Sequence, residues 1–70
     1  MNIDIVKREI ADNMGKEHHF VFCGMRGQIE EFDGIIIKMF PAIFLIKATD
    51  GSIHSFSYGD YLIQHIKIIS

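Results

Sequence analysis

The spacing of apolar residues changes once along this chain, and that change constrains the fold more than any other feature. Near the N-terminus, apolar residues recur at a spacing of three, four and four, which is typical of one face of a helix: Ile3, Val6, Ile10 and Met14. After Gly15 the spacing becomes the alternation typical of strands. The sequence therefore predicts one helix over about residues 3–13, followed by strands and short connections.

The alternation predicts five strands, at about residues 18–23, 28–40, 42–48, 52–57 and 64–69. Gly34 interrupts a β-branched run in the second strand, which predicts a sharp bend or bulge there. Pro41 ends that strand, because proline cannot donate to a central ladder.

Two further connections can be assigned from their polar residues. Asp50 and Gly51 form a pair that tolerates positive φ, which predicts a hairpin turn between the third and fourth strands. Ser57 and Asp60 are suited to capping a single helical turn before the last strand.

A chain of 70 residues is long enough for a single domain, here residues 1–70. We expect a mainly β fold, a small five-stranded SH3-like or Sm-like barrel with an N-terminal helix, because so small an antiparallel sheet must curl to bury a core. The alternative is an open antiparallel sheet with the helix packed on one face.

Charge, cysteine content and hydropathy exclude several classes of protein. With 7 basic against 9 acidic residues, the chain is not a uniformly basic nucleic-acid binder. The single cysteine, Cys23, cannot form an internal disulfide and suits a reducing cytoplasm. No apolar run approaches the roughly 20 residues of a membrane span, and the N-terminus lacks the apolar core of a signal peptide. We expect a cytoplasmic protein without a membrane partner.

Residue spacing gives no support for catalysis or metal binding. His18 and His19 are adjacent in a strand, so they face opposite ways, and the four histidines show no spacing typical of a metal site. Glu30 and Glu31 also point apart, so the acidic cluster that they form with Asp33 is expected to be a solvated face or to mark a bulge near Glu30. We therefore predict no enzymatic activity, cofactor or metal.

Several strands carry apolar residues on both faces, at 20–22, 35–37, 43–46 and 66–69. Either the helix and barrel closure cover the second face, or another subunit does. We expect a homo-oligomer, first of all a homodimer, meeting at Ile69 of the last strand and at the third strand.

Residues 24–33, GMRGQIEEFD, resemble the first Sm motif of bacterial Sm-like RNA chaperones. The second motif is not matched, since residues 58–60 read Tyr-Gly-Asp where those chaperones carry Tyr-Lys-His. This resemblance implies a barrel and, as the alternative function, single-stranded RNA binding. Nucleic acid is not the favoured partner.

A broader resemblance is to the Veg family, small proteins of low-GC Gram-positive bacteria. The matching pieces are IVKR at 5–8, NMGK at 13–16, GII at 34–36, FPAIFLI at 40–46 and SFSYGDYL at 55–62. The resemblance implies an Sm-like architecture and a non-enzymatic regulatory role in biofilm formation, exerted by binding a protein partner in transcriptional control.

The family carries a basic Asn-Gly-Gly-Arg-Arg-Lys segment where this chain has CGMRGQ at 23–28. Gly24 and Arg26 are retained, whereas two of the basic positions are replaced by Gly27 and Gln28. The binding residues that the resemblance implies are Gly24, Arg26, Phe40, Tyr58 and Asp60.

Overall fold

Two helices and five strands make up the described part of the computed structural model, which covers residues 3–24 and 27–69. In chain order they are α1 (Ile3–Asn13), β1 (Glu17–Cys23), β2 (Ile29–Met39), β3 (Ile43–Ala48), β4 (Ile53–Ser57), α2 (Tyr58–Leu62) and β5 (Ile66–Ile68). This is the predicted order of elements. Helix α1 stops where expected, with Gly15 in the left-handed region at φ +77°.

The strands form one antiparallel sheet in the order β4-β3-β2-β1-β5. Strand β2 is shared between two ladders, because residues 29–35 pair with β1 and residues 34–39 pair with β3. The sheet and the N-terminal helix confirm the mainly β fold class.

The sheet curls strongly, but its ladder does not close. In a flat sheet β4 and β1 would lie about 14 Å apart, three strand spacings. Instead the ring centroids of Phe22 in β1 and Phe56 in β4 are 5.2 Å apart. Among the described residues, however, β4 and β5 are the two edges of the sheet and do not pair. The expected full closure of the barrel is therefore corrected to a curled, open sheet.

Gly34 lies where β2 is paired on both sides, opposite His18 and Ala48. A Cβ atom placed there would lie 2.8 Å from the carbonyl oxygen of Lys47 and 2.9 Å from Cγ2 of Ile46. The residue is a glycine because β3 approaches closely, and not because of positive φ, which Gly34 does not have. The bulge lies beyond it, at Ile37, where the register shifts between Ile36 and Lys38.

The core lies between the concave face of the sheet and the two helices. Helix α1 contributes Val6 and Ile10, and its end is held to β2 by a hydrogen bond of 3.1 Å from the N–H of Gly15 to the carbonyl of Ile36. The other buried members of the core come from the sheet and the start of α2: Phe20, Ile36, Phe44, Ile46, Phe56, Tyr58 and Ile66. All of these side chains are apolar or aromatic.

Candidate functional site

Two of the predicted binding residues, Phe40 and Tyr58, are joined by a hydrogen bond. The Tyr58 hydroxyl donates to the carbonyl oxygen of Phe40, and the Tyr58 ring is only 3% exposed and stacks on Phe44. Burial raises the pKa of Tyr58. Phe40 itself is 39% exposed, with the Lys38 ammonium 5.2 Å from the ring centre. Tyr58 thus holds the connection between β2 and β3 in place, and the exposed Phe40 is the residue of the pair that is accessible to a partner.

Two further predicted binding residues, Gly24 and Asp60, line the same opening, which lies between β4 and the ends of β1 and β5. This opening has a volume of about 410 Å³, and its walls include Phe22, Cys23 and His65. The carboxylate of Asp60 accepts the Ser57 N–H at 3.2 Å, while the Asp60 N–H donates to the Ser57 hydroxyl at 3.1 Å. These bonds are the predicted cap of α2. The fifth predicted binding residue, Arg26, lies outside the described residues.

The outer face of the sheet carries a histidine held between two carboxylates. His19 Nδ1 lies 2.8 Å from Oδ1 of Asp33, and Nε2 lies 2.9 Å from Oε1 of Glu31. Hydrogen bonds to Glu31 first and Asp33 second raise the pKa of His19. His18 faces the core side instead, edge-on to Phe20, so the two adjacent histidines point apart as predicted. The acidic cluster is therefore partly neutralised by a cation when His19 is protonated.

Another opening, of about 590 Å³, lies beside the stacked rings of Phe32 and His54, whose centroids are 4.7 Å apart. Four carboxylate residues line it: Glu30, Glu31, Asp33 and Asp50. Within residues 3–24 and 27–69, no group of three or more histidine, cysteine or acidic residues is arranged to hold a metal ion. Acidic residues therefore line the opening beside this aromatic pair.

Exposed apolar side chains concentrate on the outer side of β2, β3 and β4. Ile35 of β2 and Ile53 of β4 flank Lys47 in one row across the sheet. We call the following residues the outer-face patch: Ile35, Ile37, Phe40, Ile43 and Ile53. Phe44 and Ile46 of the third strand are in the core, so only part of the apolar surplus predicted for that strand reaches the surface.

A separate apolar hollow lies between α1 and β5. Its volume is about 280 Å³, and we call it the edge cleft; its walls are Ile5, Val6, Glu9, Tyr61, Leu62, Gln64, Ile66 and Lys67. The Tyr61 hydroxyl donates to Oε2 of Glu9 at 3.0 Å, and burial followed by this bond raises the pKa of Tyr61. Gln64 is the only non-glycine residue with positive φ, +64°, in the described ranges.

Two features were not predicted from the sequence. They are the edge cleft and the arrangement of His19 between Glu31 and Asp33, which we call the histidine clamp. The clamp could have been found, because a hairpin centred on residues 24–28 places His19 opposite Asp33. The edge cleft gives no comparable signal, since it joins residues 5–9 to residues 61–67 through the tertiary fold.

The longest helix in the described ranges, α1, has 11 residues and meets neither the length nor the apolar character of a membrane-spanning helix.

Similarity to known proteins identifies the family of this chain. No curated protein matches the sequence. The family model described as "Biofilm formation stimulator VEG" matches residues 1–69 of the 70-residue chain. A match over nearly the whole length includes both helices and all five strands, so the chain belongs to the Veg family of biofilm formation stimulators.

Proposed function

We propose that this chain is a non-enzymatic regulatory module of the cytoplasm that stimulates biofilm formation by binding a protein partner in transcriptional control. Membership of the Veg family supports the link to biofilm formation. The free thiol of Cys23 is compatible with a reducing compartment.

The observation that carries binding to a protein is the amount of apolar surface outside the core. Ten large hydrophobic residues within residues 3–24 and 27–69 are at least 36% exposed. They are grouped, with five in the outer-face patch and Ile5 at the edge cleft. Grouped apolar surface of this kind marks interaction sites, among them protein interfaces.

Single-stranded RNA binding is the alternative function, and the charge distribution opposes it. Four acidic residues, Glu30, Glu31, Asp33 and Asp50, line the opening beside the Phe32–His54 stack. An RNA backbone placed there would meet negative charge, whereas single-strand binders line their aromatic platforms with basic groups.

The test compares cells that lack this protein with the same cells supplied with the wild-type chain or with Ile53→Glu or Ile5→Glu. Biofilm mass and transcript levels are measured together, and circular dichroism checks that the variants fold. We expect wild type to restore both quantities and at least one variant to restore neither. Restoration of biofilm mass without any change in transcripts would contradict transcriptional control.

Crosslinked capture from the same cells then distinguishes protein from RNA. We expect recovery of one regulatory protein that survives nuclease treatment and changes little with salt. Phosphate-dominated binding would instead weaken steeply as salt rises, and RNA recovered with that behaviour would support the alternative function.

A further inference from the structure

The free edge of β5 lies open to the edge cleft. The Cys23 N–H donates to the carbonyl of His65 at 2.7 Å, and the Ile69 N–H donates to the carbonyl of His19 at 2.8 Å. Hydrogen bonding alternates along an antiparallel pair, so Lys67 also faces β1, whereas the N–H and C=O groups of Ile66 and Ile68 point away from it. No residue of β1 lines the edge cleft, so the cleft lies along this unpaired side.

We propose that the edge cleft receives an extended segment of a partner protein, which pairs with β5 as a sixth strand and carries an acidic residue between two apolar residues. This inference rests on the proposed function, because it names the chemistry of the partner that the module would bind. Strand addition of this kind takes its affinity from backbone hydrogen bonds and its specificity from alternate side chains.

The apolar positions of that segment follow from the walls of the cleft. Side chains of the added strand that point to the core side would lie opposite Ile66 and Ile68 and would contact Ile5, Val6 and Leu62. The cleft volume of about 280 Å³ is at the lower end for small-molecule pockets, which suits a few side chains better than a whole cofactor.

The acidic position follows from Lys67. Ile66 is buried, so the neighbouring Lys67 points to the outer face of the sheet, where it is exposed beside Val21. Among the described residues Lys67 has no ion pair. A residue opposite Lys67 on an added strand would form a pair without mutual hydrogen bonds, the type in which side chains come closest, and a carboxylate there is the complementary choice.

The same reasoning disfavours pairing of β5 with the β4 edge of a second copy of this chain. The other free edge is β4, whose sequence Ile-His-Ser-Phe-Ser contains no acidic residue to place opposite Lys67. A partner segment of alternating apolar and acidic residues complements both the apolar walls of the edge cleft and the charge of Lys67.

The test is an NMR titration of the full chain with two capped peptides of about eight residues, one alternating valine with glutamate and the other valine with lysine. We expect saturable shifts of the Ile66 and Ile68 amides with the glutamate peptide, which should bind more tightly than the lysine peptide by up to about fivefold. Lys67→Glu should invert this preference. Lys47→Glu, which changes an exposed lysine of β3, is the matched control and should leave the preference unchanged.

Three results would overturn the proposal: no saturable binding, shifts centred on β4, or concentration-dependent shifts of the two β5 amides without peptide, which would assign the edge to a second copy. The titration is independent of the transcript measurements. Peptide binding at β5 without any effect on transcripts would refute the regulatory function alone, and an effect on transcripts without peptide binding would refute the docking edge alone.

Discussion

At the scale of single residues, His19 and Gly34 are positions where a single substitution should change the stability of the fold measurably. His19 uses both ring nitrogens to contact carboxylates of the neighbouring strand. Gly34 leaves the space into which the backbone of β3 fits. The contacts of His19 depend on the protonation of its ring, and the packing at Gly34 depends on the volume of the side chain at that position. The two are therefore tested separately.

The clamp around His19 should make stability depend on pH. Because Glu31 and Asp33 raise the pKa of His19 in the folded chain above its ordinary value, the stabilisation from its protonation is fully present below that ordinary value. The stabilisation is lost as pH rises through the raised pKa. We expect the difference in free energy of unfolding between wild type and His19→Gln to be largest near pH 6 and to shrink in alkaline buffer, measured by urea denaturation.

A control for this prediction removes the carboxylates and keeps the histidine. In a Glu31→Gln, Asp33→Asn double variant, NMR titration should show the His19 pKa shifted down toward its ordinary value. A difference between wild type and His19→Gln that stays constant or grows with pH would contradict the role of the clamp.

Gly34→Val should destabilise the chain by about 2 kcal/mol or more, because overpacking forces backbone movement. The nearest atom to a new Cβ is a backbone oxygen, 2.8 Å away, which cannot rotate aside as a side chain would. Gly59→Ala in α2 is the control, since its Cβ would meet nothing nearer than 3.6 Å. Equal melting temperatures for Gly34→Val and wild type would show that β3 does not pack tightly against β2 there.

At the scale of elements, the short segments depend on local bonds and the long ones on packing. Helix α2 has five residues, too few to be stable on its own, and the Ser57–Asp60 capping box supplies bonds to its first turn. Strand β5 is shorter than the sequence predicted, three residues against about six, because Gln64 adopts positive φ and the N–H of His65 donates to the carbonyl of Asp60 rather than to β1.

Removing the cap should weaken the α2–β5 connection. Ser57→Ala deletes the oxygen that accepts the Asp60 N–H, and we expect a loss of about 1 kcal/mol in the free energy of unfolding, measured by chemical denaturation. Ser57→Thr should retain most of the stability. Ser55→Ala, an exposed position in the same strand, should change little, and an effect there as large as that of Ser57→Ala would argue against capping as the cause.

At the scale of the whole molecule, the open ladder leaves two strand edges unpaired within the part of the chain that the structure describes, and it exposes an outer apolar surface. The edges are β4 and β5. The outer-face patch has room for a flat contact, whereas the edge cleft is narrow and accepts an extended segment. The two surfaces therefore suit different partners.

We predict that the outer-face patch forms a homodimer, with about 800 Å² buried on each subunit if the contact has standard size. Sedimentation equilibrium at micromolar concentration should give a dimer mass for wild type and a monomer mass for Ile53→Glu. Ile63→Glu, at a position that is 60% exposed against 52% for Ile53 but lies outside the patch, should remain dimeric. A monomer mass for wild type at every concentration would refute the dimer.

The elements and their order could be predicted from the sequence, because apolar period, glycine positions and turn residues act over a few neighbouring residues. Helix α1, the Asp50–Gly51 hairpin and the cap at Ser57 are of this kind. Three features arise only in the folded chain: the open ladder, the close approach of the β3 backbone to Gly34, and the cleft between α1 and β5. Those features join residues far apart in the chain, and their geometry depends on how the sheet curls around its core, which no local spacing encodes.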